Sequence, residues 1–88
     1  MKLRGEYVVR QVADDTVVIL VGQTALQLGG MILLNDVSKV IWETLEQETD
    51  LEKIVTAITD AFEVSAEEAR TDILEFLDKL RSMQLLDE

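Results

Sequence analysis

No histidine and no cysteine occurs in these 88 residues. The commonest general base, the commonest nucleophile and the usual zinc ligands are therefore missing together. Carboxylates remain. Glu67, Glu68, Asp72, Glu75 and Asp78 crowd one stretch, but at helical spacing they fall on the polar side of an amphipathic segment, which reads as a solvated face. No alternating-aspartate loop with a central glycine and a closing glutamate exists for calcium. Gly29-Gly30 opens no helix that could cradle a phosphate. Ser38, between Val37 and Lys39, lacks the Asp-Ser-Leu setting of an acyl carrier's phosphopantetheine serine. The expectation is a protein that binds, with no catalytic residue, metal or cofactor.

Two groups of residues suit binding. Met31-Ile32-Leu33-Leu34 has no charge and no proline and reads as a short strand. At the edge of a sheet, its free backbone N–H and C=O groups could accept a strand from another chain. The alternatives are a covering helix or a place inside the sheet. The second group is Arg70, Leu74, Leu77 and Arg81. At about 100° per residue these four fall along one flank of a helix, an apolar centre with basic ends that would suit an acidic amphipathic peptide. The bland reading is that Leu74 is one exposed apolar residue among many.

The elements that must position these residues follow from periodicity. Gly5–Val12 is rich in β-formers, Asp14-Asp15 reads as a turn, and Thr16–Val21 is a β-branched run suited to a central strand. Ala25-Leu26-Gln27-Leu28 is expected as a short strand, with Gly29-Gly30 forming a two-residue hairpin into Met31–Leu34. Helix follows, capped by Asn35 or Asp36, with Val37, Val40, Ile41 and Leu45 on one face and Trp42 at its border. Thr49 with Glu52, and Ser65 with Glu68, form capping boxes for two further helices. The first of these buries Leu51, Ile54, Val55, Ile58 and Phe62; the second buries Ala69, Ile73, Phe76, Leu77 and Leu80. An N-terminal antiparallel β-meander followed by three helices is α+β, with the ingredients of a winged-helix-like domain.

Composition sets the outer limits. A chain this short makes one domain, residues 1–88, with one core. Its longest strictly apolar run, Val17–Val21, is too short to cross a bilayer, and no apolar stretch follows the basic N-terminus. A cytoplasmic protein is expected. Residues 1–42 carry four basic and four acidic side chains, whereas residues 43–88 carry four basic and fourteen acidic, the whole net charge of −10. A negative helical half repels phosphate, so DNA binding by the third helix fails on electrostatics.

The ordered series Leu33-Leu34-Asn35-Asp36, Ile41-Trp42, Leu45, Ile54-Val55, Phe62 through Glu68, Asp72 through Leu77, Leu80 and Leu85-Leu86 resembles the PqqD-like family. The likeness runs over residues 31–86 and more loosely over the strands before them. It implies a peptide chaperone, a RiPP recognition element, which holds the leader of a ribosomally made precursor peptide for a modifying enzyme, often a radical SAM enzyme. In that family the leader adds as a strand to the third strand and lies against the third helix. Carried over by position, this points to Met31, Ile32, Leu33 and Leu34 and to Arg70, Leu74, Leu77 and Arg81. Ser38-Lys39-Val40, where small residues are common, and the long stretch Gly22–Gly30 depart from the pattern and leave the subfamily open. A winged-helix adaptor without a precursor peptide, a homodimer through the same edge and a DNA-contacting regulator remain as alternatives. The expected state is a monomer or a weak homodimer, with no nucleic acid and no membrane as partner.

Overall fold

The computed structural model describes residues 1–28 and 30–88. Strand β1 (Lys2–Leu3) is followed by β2 (Tyr7–Val12) and β3 (Asp15–Leu20), helix α1 (Gly22–Leu28) and strand β4 (Met31–Leu34). Helices α2 (Asp36–Leu45), α3 (Leu51–Ala61) and α4 (Ala66–Ser82) come next, and β5 (Leu86–Asp87) closes the chain. The three helices expected from sequence are therefore α2, α3 and α4, and the α+β architecture is the one the pattern implied. Strands β2, β3 and β4 form an antiparallel sheet in that order. A second, two-stranded sheet pairs β1 with β5, Leu3 opposite Leu86, an element that two-residue strands do not announce.

Three local expectations need correcting. The turn between β2 and β3 is one residue earlier than expected: Asp15 is already in the strand, and Ala13 takes the positive φ of 56°. Residues 25–28 are helical, not a strand. Gly22, at φ 58°, lets the chain turn out of β3. The Glu6 carboxylate then accepts from the Gln23 N–H, and the Thr24 hydroxyl accepts from the Glu6 N–H. Ala, Leu and Gln are good helix formers once the entry is fixed. The expected Gly29-Gly30 hairpin thus has no strand before it, and Gly29 lies outside the described residues. Helix α3 is capped by Asp50, which accepts from the Lys53 N–H at 2.9 Å, and not by Thr49. Thr49 is occupied elsewhere: its N–H donates to the Met1 carbonyl, and its own carbonyl accepts from the Met1 ammonium.

The helices cover one face of the three-stranded sheet. Val18, Leu20, Ile32 and Leu34 point into a core shared with Trp42, Leu45, Ile58, Ile73, Leu77 and Leu80. Trp42, placed at the border of its helix by phase, is 1% exposed, because the ring of Tyr7 meets it edge-on with centroids 4.9 Å apart. Burial and the nearby Glu46 carboxylate push the Tyr7 phenol above its ordinary range. Among the described residues, no helix is long and apolar enough to cross a membrane.

Candidate functional site

β4 is an edge strand, and its backbone divides cleanly between the two sides. The Val21 N–H donates to the Glu6 carbonyl, and the Leu20 N–H to the Gly30 carbonyl. Bonding pairs alternate along an antiparallel ladder. Hence Asp15, Val17 and Ile19 bond toward β2, while Thr16 and Val18 bond toward β4 at Leu34 and Ile32. The N–H and C=O groups of Met31 and Leu33 are left pointing away from the sheet, free for another chain. Side chains alternate in step: Ile32 and Leu34 are buried, while Met31 and Leu33 are 68% and 63% exposed on the far face. No lysine, proline or bulge guards this edge, unlike most natural edges.

Where β4 ends, a cleft of about 410 Å³ opens between α2 and α4. Asn35, Val37, Ser38 and Ile41 line one side; Asp72, Glu75, Phe76 and Lys79 line the other. Its first wall is held by a capping box. The Asn35 Oδ1 accepts from the Ser38 N–H, and the Ser38 Oγ accepts from the Asn35 N–H, both at 2.8 Å. Ser38 thus serves a structural purpose at the position where it departs from the small residues of the family pattern. The α4 wall is set by Ser65, whose hydroxyl accepts from the Glu68 N–H and starts the helix, and by Ala69, Ile73 and Leu80, which fix its rotation in the core. The cleft thus offers an apolar floor of Ile41, Val37 and Phe76, with two carboxylates and one ammonium at its rim. No cluster of metal-ligating side chains occurs among the described residues.

The residues expected on α4 lie elsewhere. Leu77 is 1% exposed and belongs to the core, with no surface open to a ligand in this structure. Arg70 reaches α3 and donates to both Glu52 carboxylate oxygens, at 2.9 and 3.1 Å. Arg81 is paired with Glu88 at 2.7 Å and with Asp78 at 2.9 Å. This pairing raises the Arg81 guanidinium further above its already high range and lowers the Glu88 carboxyl. Leu74 is half-exposed, two residues from Phe76 and so about 200° away around the helix. The structure brings Met31 and Leu33 together at the edge but leaves Arg70, Leu74 and Arg81 on the opposite flank of α4. None of the eight residues that line the cleft is among those the sequence singled out for binding. Phe76, on the border of the core stripe next to polar Asp72 and Lys79, was the signal that could have found them.

Residues 16–86 match the family described as Coenzyme PQQ synthesis protein D (PqqD). No curated protein matches the chain. Among solved structures, the chain is similar to one described as TbiB1 in complex with the TbiA(beta) leader peptide. The TM-score is 0.77 and the identity 30%, covering 99% of this chain and 95% of that one.

Proposed function

The chain belongs to the PqqD family as a RiPP recognition element, and from that premise we propose that it binds the leader segment of a precursor peptide as an added strand on β4. The observation that carries the reading is the outward-facing backbone of Met31 and Leu33 on an unguarded edge that runs into the α2–α4 cleft. The similar TbiB1 was captured with a leader peptide, which supports the same use here. Strand addition supplies register and affinity through main-chain hydrogen bonds, and pockets for alternate side chains supply selectivity.

Magnitudes assign the two contributions. Four free backbone groups, at about 1 kcal/mol net each, give about 4 kcal/mol. A micromolar complex needs about 8 kcal/mol. At least half of the affinity must therefore come from side chains, and Phe76, Val37 and the floor at Ile41 are the apolar surface on hand. The leader that fits has an apolar anchor for the cleft, with a carboxylate within reach of Lys79 or a basic group for Asp72 and Glu75. The chain supplies no chemistry of its own in this account. It delivers the peptide to a modifying enzyme, a radical SAM maturase being one such partner.

The test is a titration of the isotope-labelled protein with synthetic peptides from the short reading frames beside its gene. Amide shifts at Met31–Leu34 together with Asp72, Phe76 and Lys79 are expected. Shifts confined to the Arg70, Leu74 and Arg81 flank would overturn the placement. No response to any of these peptides would instead favour an adaptor.

A further inference from the structure

The face of the sheet turned away from α2, α3 and α4 is mostly apolar, and it is open at Met31, Leu33 and Val12. Register puts Val8, Ile19 and Met31 in one row across the three strands, and Arg10, Val17 and Leu33 in the next. Val12 lies beyond them, 57% exposed. Val17, in the central strand, is buried at 8% exposure and Val8 and Ile19 are half-buried, while Met31, Leu33 and Val12 are open. An outward face of an antiparallel sheet ordinarily alternates to polar residues; this one does so only at Arg10 and at Asp15 at the strand end.

We infer that this outer face, extended by a bound leader strand, is the docking surface for the enzyme that modifies the peptide. The inference rests on the proposed strand addition. Its basis is continuity: a strand added at β4 lengthens both rows beside Met31 and Leu33, because its alternate side chains point to the same side. Area then decides between occupants. The open apolar side chains of the empty face, chiefly Met31, Leu33 and Val12, fall short of the ~800 Å² per partner of a stable interface. Two or three outward leader side chains, at about 100 Å² each, extend it toward that size. An enzyme docking here therefore discriminates loaded from empty protein without a conformational switch.

Charge selects the partner further. A second copy would bring two bodies of net charge −10 together. Arg10 is exposed and bonds only the carbonyl of Val9 among the described residues, at 3.3 Å. The fitting surface is an apolar patch with a carboxylate placed to meet Arg10.

The experiment immobilises the purified peptide-modifying enzyme encoded beside this chain's gene and measures binding of the full chain, with and without the synthetic leader encoded there. The variants are Val12→Lys and Arg10→Glu, both on the strand farthest from β4, with thermal melts to confirm folding. The wild type should bind more tightly when loaded. Each variant should lose about tenfold in affinity for the enzyme, equivalent to about 1.4 kcal/mol, while its leader affinity stays within about twofold. Enzyme binding that is unchanged in both variants overturns the inference, as does loaded wild type that fails to bind. A dimer in sedimentation velocity that Val12→Lys abolishes overturns it in favour of a second copy. Wild type that binds no leader is a different failure, that of the strand-addition reading itself.

Discussion

The two flanks of α4 differ in what already holds their charged side chains. On one flank Arg70 is tied to Glu52 and Arg81 to Glu88 and Asp78, closing the helix against α3 and the C-terminal strand. On the other, Asp72, Glu75 and Lys79 form no ion pair among the described residues, and they stand around Phe76 at an open cleft. An arginine already engaged by a carboxylate must give up that bond before it can serve a ligand, whereas the open flank has little to give up. A flank that reads as a binding stripe in one dimension is thus a seam of the fold. A flank that reads as solvated polar surface lines the cleft.

Five substitutions and one titration would break or sharpen this contrast. The largest effect is expected from Leu77→Ala. As a core position it should cost about 2–5 kcal/mol of stability by chemical denaturation; a loss of peptide affinity with stability intact would return Leu77 to the site. Next is a pair of proline scans on β4. Ile32→Pro removes a ladder N–H and should destabilise the fold by about 3 kcal/mol or more. Leu33→Pro removes an N–H that faces outward, where edge strands tolerate proline. It should melt close to wild type yet lose most peptide binding by calorimetry. Phe76→Ala on the open flank should weaken the peptide by about 1–2 kcal/mol, the size of a partly buried apolar anchor. Arg70→Ala on the closed flank should change peptide affinity by less than about 0.5 kcal/mol, since an exposed ion pair contributes little even to stability.

The smallest effect is a pH dependence at the C-terminal strand. The Arg81 guanidinium holds the Glu88 carboxyl below the usual carboxylate range. The pair therefore supports β5 fully above the ordinary carboxylate pKa, and the support is lost as pH falls through the lowered value. Amide shifts of Leu86 and Asp87 should report fraying on that acid side.

What could be read in advance follows from how far each signal reaches along the chain. Helices α2, α3 and α4 are legible because Ile41 and Leu45, Ile54 and Ile58, and Ile73 and Leu80 repeat at helical spacing and face one core. β4 was legible as a strand, but four consecutive apolar residues conceal the alternation that buries Ile32 and exposes Leu33. α1 was misread because a seven-residue segment has no long period, and its start depends on Glu6 and Thr24, which are distant in sequence. The ion pairs on the Arg70 flank of α4 are hidden from sequence for a related reason. Phase places side chains around a helix but does not say which neighbour meets them, and Glu52 lies 18 residues from Arg70. The edge itself depended on strand order, which no local pattern encodes.

The central claim is that a peptide strand bonds to the outward backbone of Met31 and Leu33. Amide hydrogen exchange resolved by residue tests it directly. In the free protein, the amides of Ile32 and Leu34 should be protected by β3 while those of Met31 and Leu33 exchange rapidly. Saturation with the leader peptide should bring Met31 and Leu33 under protection and leave the other two little changed. Rapid exchange at Met31 and Leu33 in the saturated complex would contradict strand addition at this edge.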